Sequence, residues 1–185
     1  MEEAPQGHAE EGRRIAGLDV YVVRHAAAFG RDPDRWPDDS RRPLTPEGEE
    51  EFRRAARGLL ELTPRVDVVL SSPYERAWRT AQILSELDSW PAPESAPALE
   101  PTLPPEKAAQ ELLSYADAGS VVVVGHRPGL HELAAYLLTG EAGGAEISLK
   151  KGGVACIRFD GAPAPGTGEL RLLLTPKVLR SIAVE

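Results

Sequence analysis

A chain of 185 residues that is 42% hydrophobic carries enough apolar side chains for one buried core and too few for two. Its 21 basic and 29 acidic residues leave a formal charge of −8, a balance that repels nucleic acid and anionic membrane, so any anion site must be a local cluster of cations. The single cysteine, Cys156, excludes an internal disulfide and a thiolate zinc centre, and no apolar run approaches the length of a membrane span or a secretory leader, so the expected location is the reducing cytoplasm.

Residues 1–16 are rich in Glu, Gly and Arg without an apolar period, and are expected to form a disordered tail, His8 included, ahead of one globular domain over 17–185. The first apolar run, 18–23, is short and β-branched, which predicts a buried strand stopping at Arg24-His25. After a polar stretch over 31–42, Thr45 is placed as an N-cap and Pro46 as the first residue of a helix of about four turns, to near Leu62. Residues 66–70 predict a second strand. Ser72-Pro73-Tyr74-Glu75 has the spacing of a capping box, which predicts a helix running towards Leu87.

Prolines at 91, 93, 97, 101, 104 and 105 forbid a helix and predict an extended connector with one short edge strand near Leu99. Residues 106–115 return to helical spacing, and Val121-Val122-Val123-Val124 predicts a strand ending in Gly125-His126. Pro128 starts a further helix to near Gly140, and residues 154–159 and 169–175 predict a β-hairpin. Strands alternating with helices and closed by a hairpin indicate an α/β fold, a three-layer α/β/α sandwich whose mostly parallel sheet has an antiparallel C-terminal edge.

In open α/β sheets ligands bind beyond the carboxyl ends of the strands. Here the first strand ends in Arg24-His25, the second leads through Ser71-Ser72-Pro73 to Arg76, and the valine strand ends in His126-Arg127. Parallel strands gather these groups at one rim. Arg76 is the most telling member, because a cation in the first turn of a helix faces the positive end of the macrodipole and is unfavourable unless an anion stands in front. The bland reading applies elsewhere. Arginine supplies 17 of the 21 cations, so Arg31, Arg35, Arg41, Arg53, Arg54 and Arg57 read as solvated surface. His131, one turn into its helix, reads as packed or surface, and Cys156 as a core residue of a strand. No P-loop, nucleophile elbow or H-E-x-x-H helix is present, and Cys156 lacks the Gly-rich anion loop of a cysteine phosphatase.

Four segments in order, Val22-Val23-Arg24-His25-Ala26, Arg42-Pro43-Leu44-Thr45-Pro46-Glu47-Gly48, Ser71-Ser72-Pro73-Tyr74-Glu75-Arg76-Ala77 with Thr80, and Val124-Gly125-His126-Arg127-Pro128, together resemble the histidine phosphatase superfamily. The likeness spans about residues 18–180 and is greatest to the short SixA-type phosphohistidine phosphatase branch, with its phosphoglycerate mutase-like fold. The resemblance implies a hydrolase in which His25 is the nucleophile, Arg24, Arg76 and His126 form the phosphate pocket, and Arg42 is a pocket-edge cation, with no metal and no cofactor. Neighbouring guanidinium charges disfavour protonation of His25 and preserve its lone pair.

Two departures from the family pattern stand out. Ala26 replaces the usual glycine, and the leaving-group acid of the larger branches has no clear counterpart; Glu100 is the candidate, with Asp38 and Asp39 as weaker ones. An alkoxide, with a conjugate acid near water's pKa of roughly 16, needs a proton donor far more than imidazole at roughly 6.5. The short connector after Arg76 also leaves little room for a lid domain. The expected substrate is a phosphohistidine-bearing protein, with inorganic phosphate or a similar anion binding in the pocket and no nucleic acid or membrane partner. The alternatives are a broad-specificity small-molecule phosphomonoesterase or phosphoglycerate-mutase-like enzyme, and a non-catalytic phosphate-binding scaffold.

Overall fold

Alternating apolar side chains on consecutive strands need cover on both faces, and helices from different parts of the chain supply it. The structure is a computed structural model that describes residues 17–86 and 90–183; the expected tail over 1–16 and the expected helix end at Leu87 lie outside the described residues. Among these residues six strands, β1 (Leu18–Arg24), β2 (Val68–Ser71), β3 (Glu94–Ser95), β4 (Ser120–Gly125), β5 (Val154–Phe159) and β6 (Glu169–Leu174), form one sheet in the order β3-β2-β4-β1-β5-β6. The pairs β1 with β4, β4 with β2, and β2 with β3 are parallel, whereas β5 runs antiparallel to both β1 and β6.

Among the described residues, five α-helices cover this sheet: α1 (Pro46–Leu62), α2 (Glu75–Ser85), α3 (Pro105–Leu112), α4 (Gly129–Thr139) and α5 (Pro176–Ile182). The valine run shows how the layers arise. Val122 and Val124 point into a core with Phe52 and Leu59 of α1, Ala77, Ala81 and Leu84 of α2, and Leu179 of α5. Val121 and Val123 point the other way, onto Ala108 and Leu112 of α3 and Leu130, Leu133 and Leu137 of α4. The expected three-layer sandwich with an antiparallel edge is the observed architecture. Among the described residues, no helix is long and apolar enough to cross a membrane.

Thr45 caps α1 as expected, its Oγ1 accepting the Gly48 N–H at 3.0 Å, and Gly140 ends α4 in the left-handed region at φ 84°. One expectation is corrected. The short edge strand lies at Glu94–Ser95 and not near Leu99, because Pro97 opens a 3-10 turn over Pro97–Leu99 that buries Leu99 in the α3–α4 core. A fifth helix, α5, follows the hairpin, started by Thr175 and Pro176 in the same way that Thr45 and Pro46 start α1.

The contact between α1 and α5 depends on Gly58, where an added Cβ would run into the main-chain carbonyl of Leu179. Alanine normally stabilises a helix interior by about 1 kcal/mol over glycine. Here that gain is outweighed by overpacking against backbone, so Gly58→Ala is expected to destabilise the protein by about 2 kcal/mol, read as a lowered urea midpoint.

Candidate active site

The parallel register aligns three strand ends: Arg24 lies opposite Gly125 on β1 and β4, and Ser71 lies opposite Val124 on β2 and β4. His25, Ser72 and His126 therefore leave the sheet side by side, and the rings of His25 and His126 sit 5.2 Å apart between centroids.

His25 is 6% exposed and is fixed by main-chain bonds, its own N–H donating to Gly125 O at 3.0 Å and the next N–H, of Ala26, donating to Thr80 Oγ1 at 3.0 Å. Its ring Nδ1 lies 2.7 Å from the Ala26 carbonyl. A carbonyl only accepts, so Nδ1 carries the proton and Nε2 keeps a lone pair. Burial pushes the ring's pKa down to about 3; the Ala26 bond opposes this, and the charges of Arg76, Arg24 and Arg42 reinforce it. Such a ring is neutral at physiological pH and is able to act as a nucleophile.

His126, 3% exposed, has its Nε2 2.9 Å from Ser72 Oγ, and that oxygen accepts the Tyr74 N–H at 3.4 Å. The Ser72 hydroxyl hydrogen is thus free to go to Nε2, which places the remaining ring proton on Nδ1. The pKa is down to about 2, chiefly through burial, with His25 and Arg76 adding to it. The expected capping box is corrected here. The N-cap of α2 is Tyr74 and no side chain caps it; the Ser72 hydroxyl is instead turned to His126. Tyr74 packs edge-on against His126 and beneath Arg76, at 5.2 and 5.1 Å.

Arg76 stands in the first turn of α2, as expected, and is 4% exposed. Its Nη1 donates to the Asp39 main-chain carbonyl at 2.8 Å and its Nη2 lies 3.1 Å from Asp39 Oδ2. Arg24 Nη1 donates to Leu149 O at 2.8 Å, and His131 Nε2 lies 3.3 Å from the same carbonyl, so His131 is a packed neighbour of the Leu149 segment. Arg42 donates through Nε to Asp39 Oδ1 at 2.8 Å and through Nη1 to Phe29 O at 2.7 Å.

Among the described residues, the buried side-chain polar atoms without a hydrogen-bond partner are Arg24 Nε, Arg76 Nε and His126 Nδ1. Each is an N–H donor on the assignments above, and unpaired buried donors are costly. Three of them on one constellation suit an anion with several acceptor oxygens, and guanidinium groups match phosphate oxygens well.

The carboxylates are distributed differently. Glu100 lines a small apolar cleft together with His126, Leu99 and Leu130. Asp38 is exposed and accepts the Ser40 N–H at the start of a 3-10 turn over Asp39–Arg41. The carboxyl of Asp39 is held below the usual carboxylate range, first by its bond from Arg42 and then by the Arg76 charge, a state unsuited to donating a proton. Among the described residues, no group of three or more His, Cys, Asp and Glu side chains is placed to hold a metal ion. Arg31, Arg35, Arg41, Arg54 and Arg57 are exposed as expected; Arg53 is half-buried in ion pairs with Glu49 and Glu86, and Cys156 is buried.

Both histidines have folded-state pKa values far below the ordinary 6.5, so the unfolded chain takes up protons first on acidification. Their contribution to stability is present above pH 6.5 and is lost as pH falls towards 3, at a limiting slope of about 1.4 kcal/mol per pH unit for each ring. Urea titrations across this window are expected to show stability falling steeply, and His126→Gln is expected to make the slope shallower. Stability independent of pH there would contradict two buried neutral rings.

Comparison with known proteins agrees with the geometry. The model of the histidine phosphatase superfamily (branch 1) matches residues 20–100. An uncharacterized protein of Picosynechococcus sp. is 34% identical over 166 residues, covering 88% of this chain and 99% of that protein. The structure is similar to that of the protein histidine phosphatase SixA complexed with tungstate, at 26% identity and a TM-score of 0.75, over 87% of this chain and 99% of that one. The alpha-ribazole phosphatase of Shigella flexneri shares the fold at 17% identity and a TM-score of 0.64, over 85% of this chain and 96% of that one.

Proposed function

Since this chain belongs to the histidine phosphatase superfamily, we propose that it is a cytoplasmic phosphohistidine phosphatase with His25 as its nucleophile. The observation that carries this reading is the set of buried donors, Arg24 Nε, Arg76 Nε and His126 Nδ1, unpaired around a ring whose Nε2 holds a lone pair.

Nε2 of His25 attacks phosphorus as the bond from phosphorus to the substrate imidazole breaks; that ring, protonated beforehand by solvent on its other nitrogen, departs as neutral imidazole. A water molecule then attacks the phosphorus of phospho-His25; its proton goes to solvent, inorganic phosphate leaves and His25 is regenerated. The three donors stabilise charge on the equatorial oxygens, with Arg42 at the pocket edge. Because a neutral imidazole, whose conjugate acid has a pKa of roughly 6.5, is the leaving group, the first step needs no proton donor from the protein, and among the described residues the carboxylate bonded to Arg42 and Arg76 is Asp39, which is poorly suited to donating one.

A second reading, a phosphomonoesterase, is favoured by one observation: Glu100 lines the cleft beside His126 and would serve as the leaving-group acid. The two readings separate on substrate. Turnover of a phosphohistidine protein is expected to exceed that of alkyl phosphates by at least about 10²-fold in kcat/KM, with Glu100→Gln changing it by less than about threefold. Preference for alkyl phosphates together with a large loss in Glu100→Gln would establish the second reading instead.

A further inference from the structure

Asp39 occupies a position that neither step of the proposed reaction requires. Its carboxylate lies 3.1 Å from Arg76 Nη2 through Oδ2 and 2.8 Å from Arg42 Nε through Oδ1. Arg76 is almost wholly buried and the Arg42 side chain is 15% exposed, whereas that of Asp39 is 34% exposed. A negative charge therefore stands against two of the guanidinium groups of the proposed phosphate pocket.

We infer that Asp39 is a built-in competitor for the arginines of the phosphate pocket, weakening its hold on the anionic product so that inorganic phosphate leaves. The inference rests on reading the His25 pocket as a phosphatase site. Its physical basis is charge balance. Arg24, Arg76 and Arg42 all bear on the His25 ring, and both buried histidines are neutral, so the local cluster is strongly cationic within an acidic protein. A phosphate dianion in that field is attracted by each guanidinium and repelled by the neighbouring carboxylate, in a partly desolvated site where both effects exceed their size in water. Binding that is equally strong for substrate and product does not raise turnover, and slow release lowers it.

The anchors of the two arginines allow charge to be separated from scaffolding. The main-chain carbonyl of residue 39 holds Arg76 Nη1, and the Phe29 carbonyl holds Arg42 Nη1, whatever side chain residue 39 carries. Asp39→Asn therefore removes the charge and leaves one main-chain bond to each guanidinium. A residue that merely held the arginines in place would weaken anion binding when lost; a competitor strengthens it.

The test is calorimetric titration of inorganic phosphate into the wild type, Asp39→Asn, Asp39→Ala and Asp39→Glu, alongside phosphate inhibition of turnover. Asp39→Asn and Asp39→Ala are expected to bind phosphate at least about fivefold tighter, with inhibition deepened to match, while Asp39→Glu stays within about twofold of the wild type. Unchanged or weaker binding in both neutral variants, with the wild type still binding phosphate, overturns the role of Asp39 and leaves the pocket reading standing. Failure of every protein to bind phosphate overturns the pocket reading and the inference with it.

Discussion

His25→Ala is expected to lower turnover of phosphorylated substrate by at least about 10³-fold, because the group proposed to form the covalent bond has no substitute in the pocket. The other ring, His126, is bound through Nε2 to Ser72, and its remaining nitrogen carries a proton on the assignment above, so it cannot take over the attack. The same variant separates a catalyst from a binding module. The donors Arg24 Nε, Arg76 Nε and His126 Nδ1 belong to other residues, so affinity for inorganic phosphate is expected to stay within about threefold of the wild type. Loss of turnover with retained phosphate affinity is the signature sought. Retained turnover in His25→Ala would remove His25 from the mechanism.

Arg76→Ala is expected to lower kcat by about 10²–10³-fold, the usual effect of deleting one preorganised donor to a developing oxyanion. The side chain is nearly inaccessible, is clamped by two atoms of Asp39 and lies over the Tyr74 ring, so its Nε is held in place before any ligand arrives. Lysine does not replace it. An ammonium cannot bond the Asp39 carbonyl and carboxylate and also present a third planar donor, so Arg76→Lys is expected to recover little of the loss. A loss below about threefold in Arg76→Ala would mean that Arg76 does not contact the reacting group.

Much of this site is legible in the sequence because it sits where strong local signals end. The valine run and the apolar run over 18–23 mark two strands, and the residues just beyond them, His126 and His25, needed only parallel pairing to become neighbours. Arg76 was marked by an unfavourable position at a helix start, and the structure shows it buried there.

The supporting residues were less legible for a physical reason. Ser72 has the spacing of a helix cap, and a hydroxyl that caps a helix reads in one dimension like a hydroxyl that holds a histidine 54 residues away. Asp39 lies in the run Asp38-Asp39-Ser40-Arg41-Arg42, where a carboxylate bound to a buried arginine looks the same as a solvated one. The short elements escaped as well. Helix α5 has seven residues with only Leu179 buried, too few to show an amphipathic period, and β3 has two residues, paired with Leu70 and Ser71.

The central claim, a covalent phosphoryl intermediate on His25, is tested most directly by rapid quenching of the enzyme with labelled phosphorylated substrate, under conditions that spare acid-labile phosphoramidates, followed by mapping of the label. The expected result is a label on the peptide containing His25, absent from His25→Ala and chased by water. A label on any other residue, or full turnover with no labelled protein at any quench time, would contradict it.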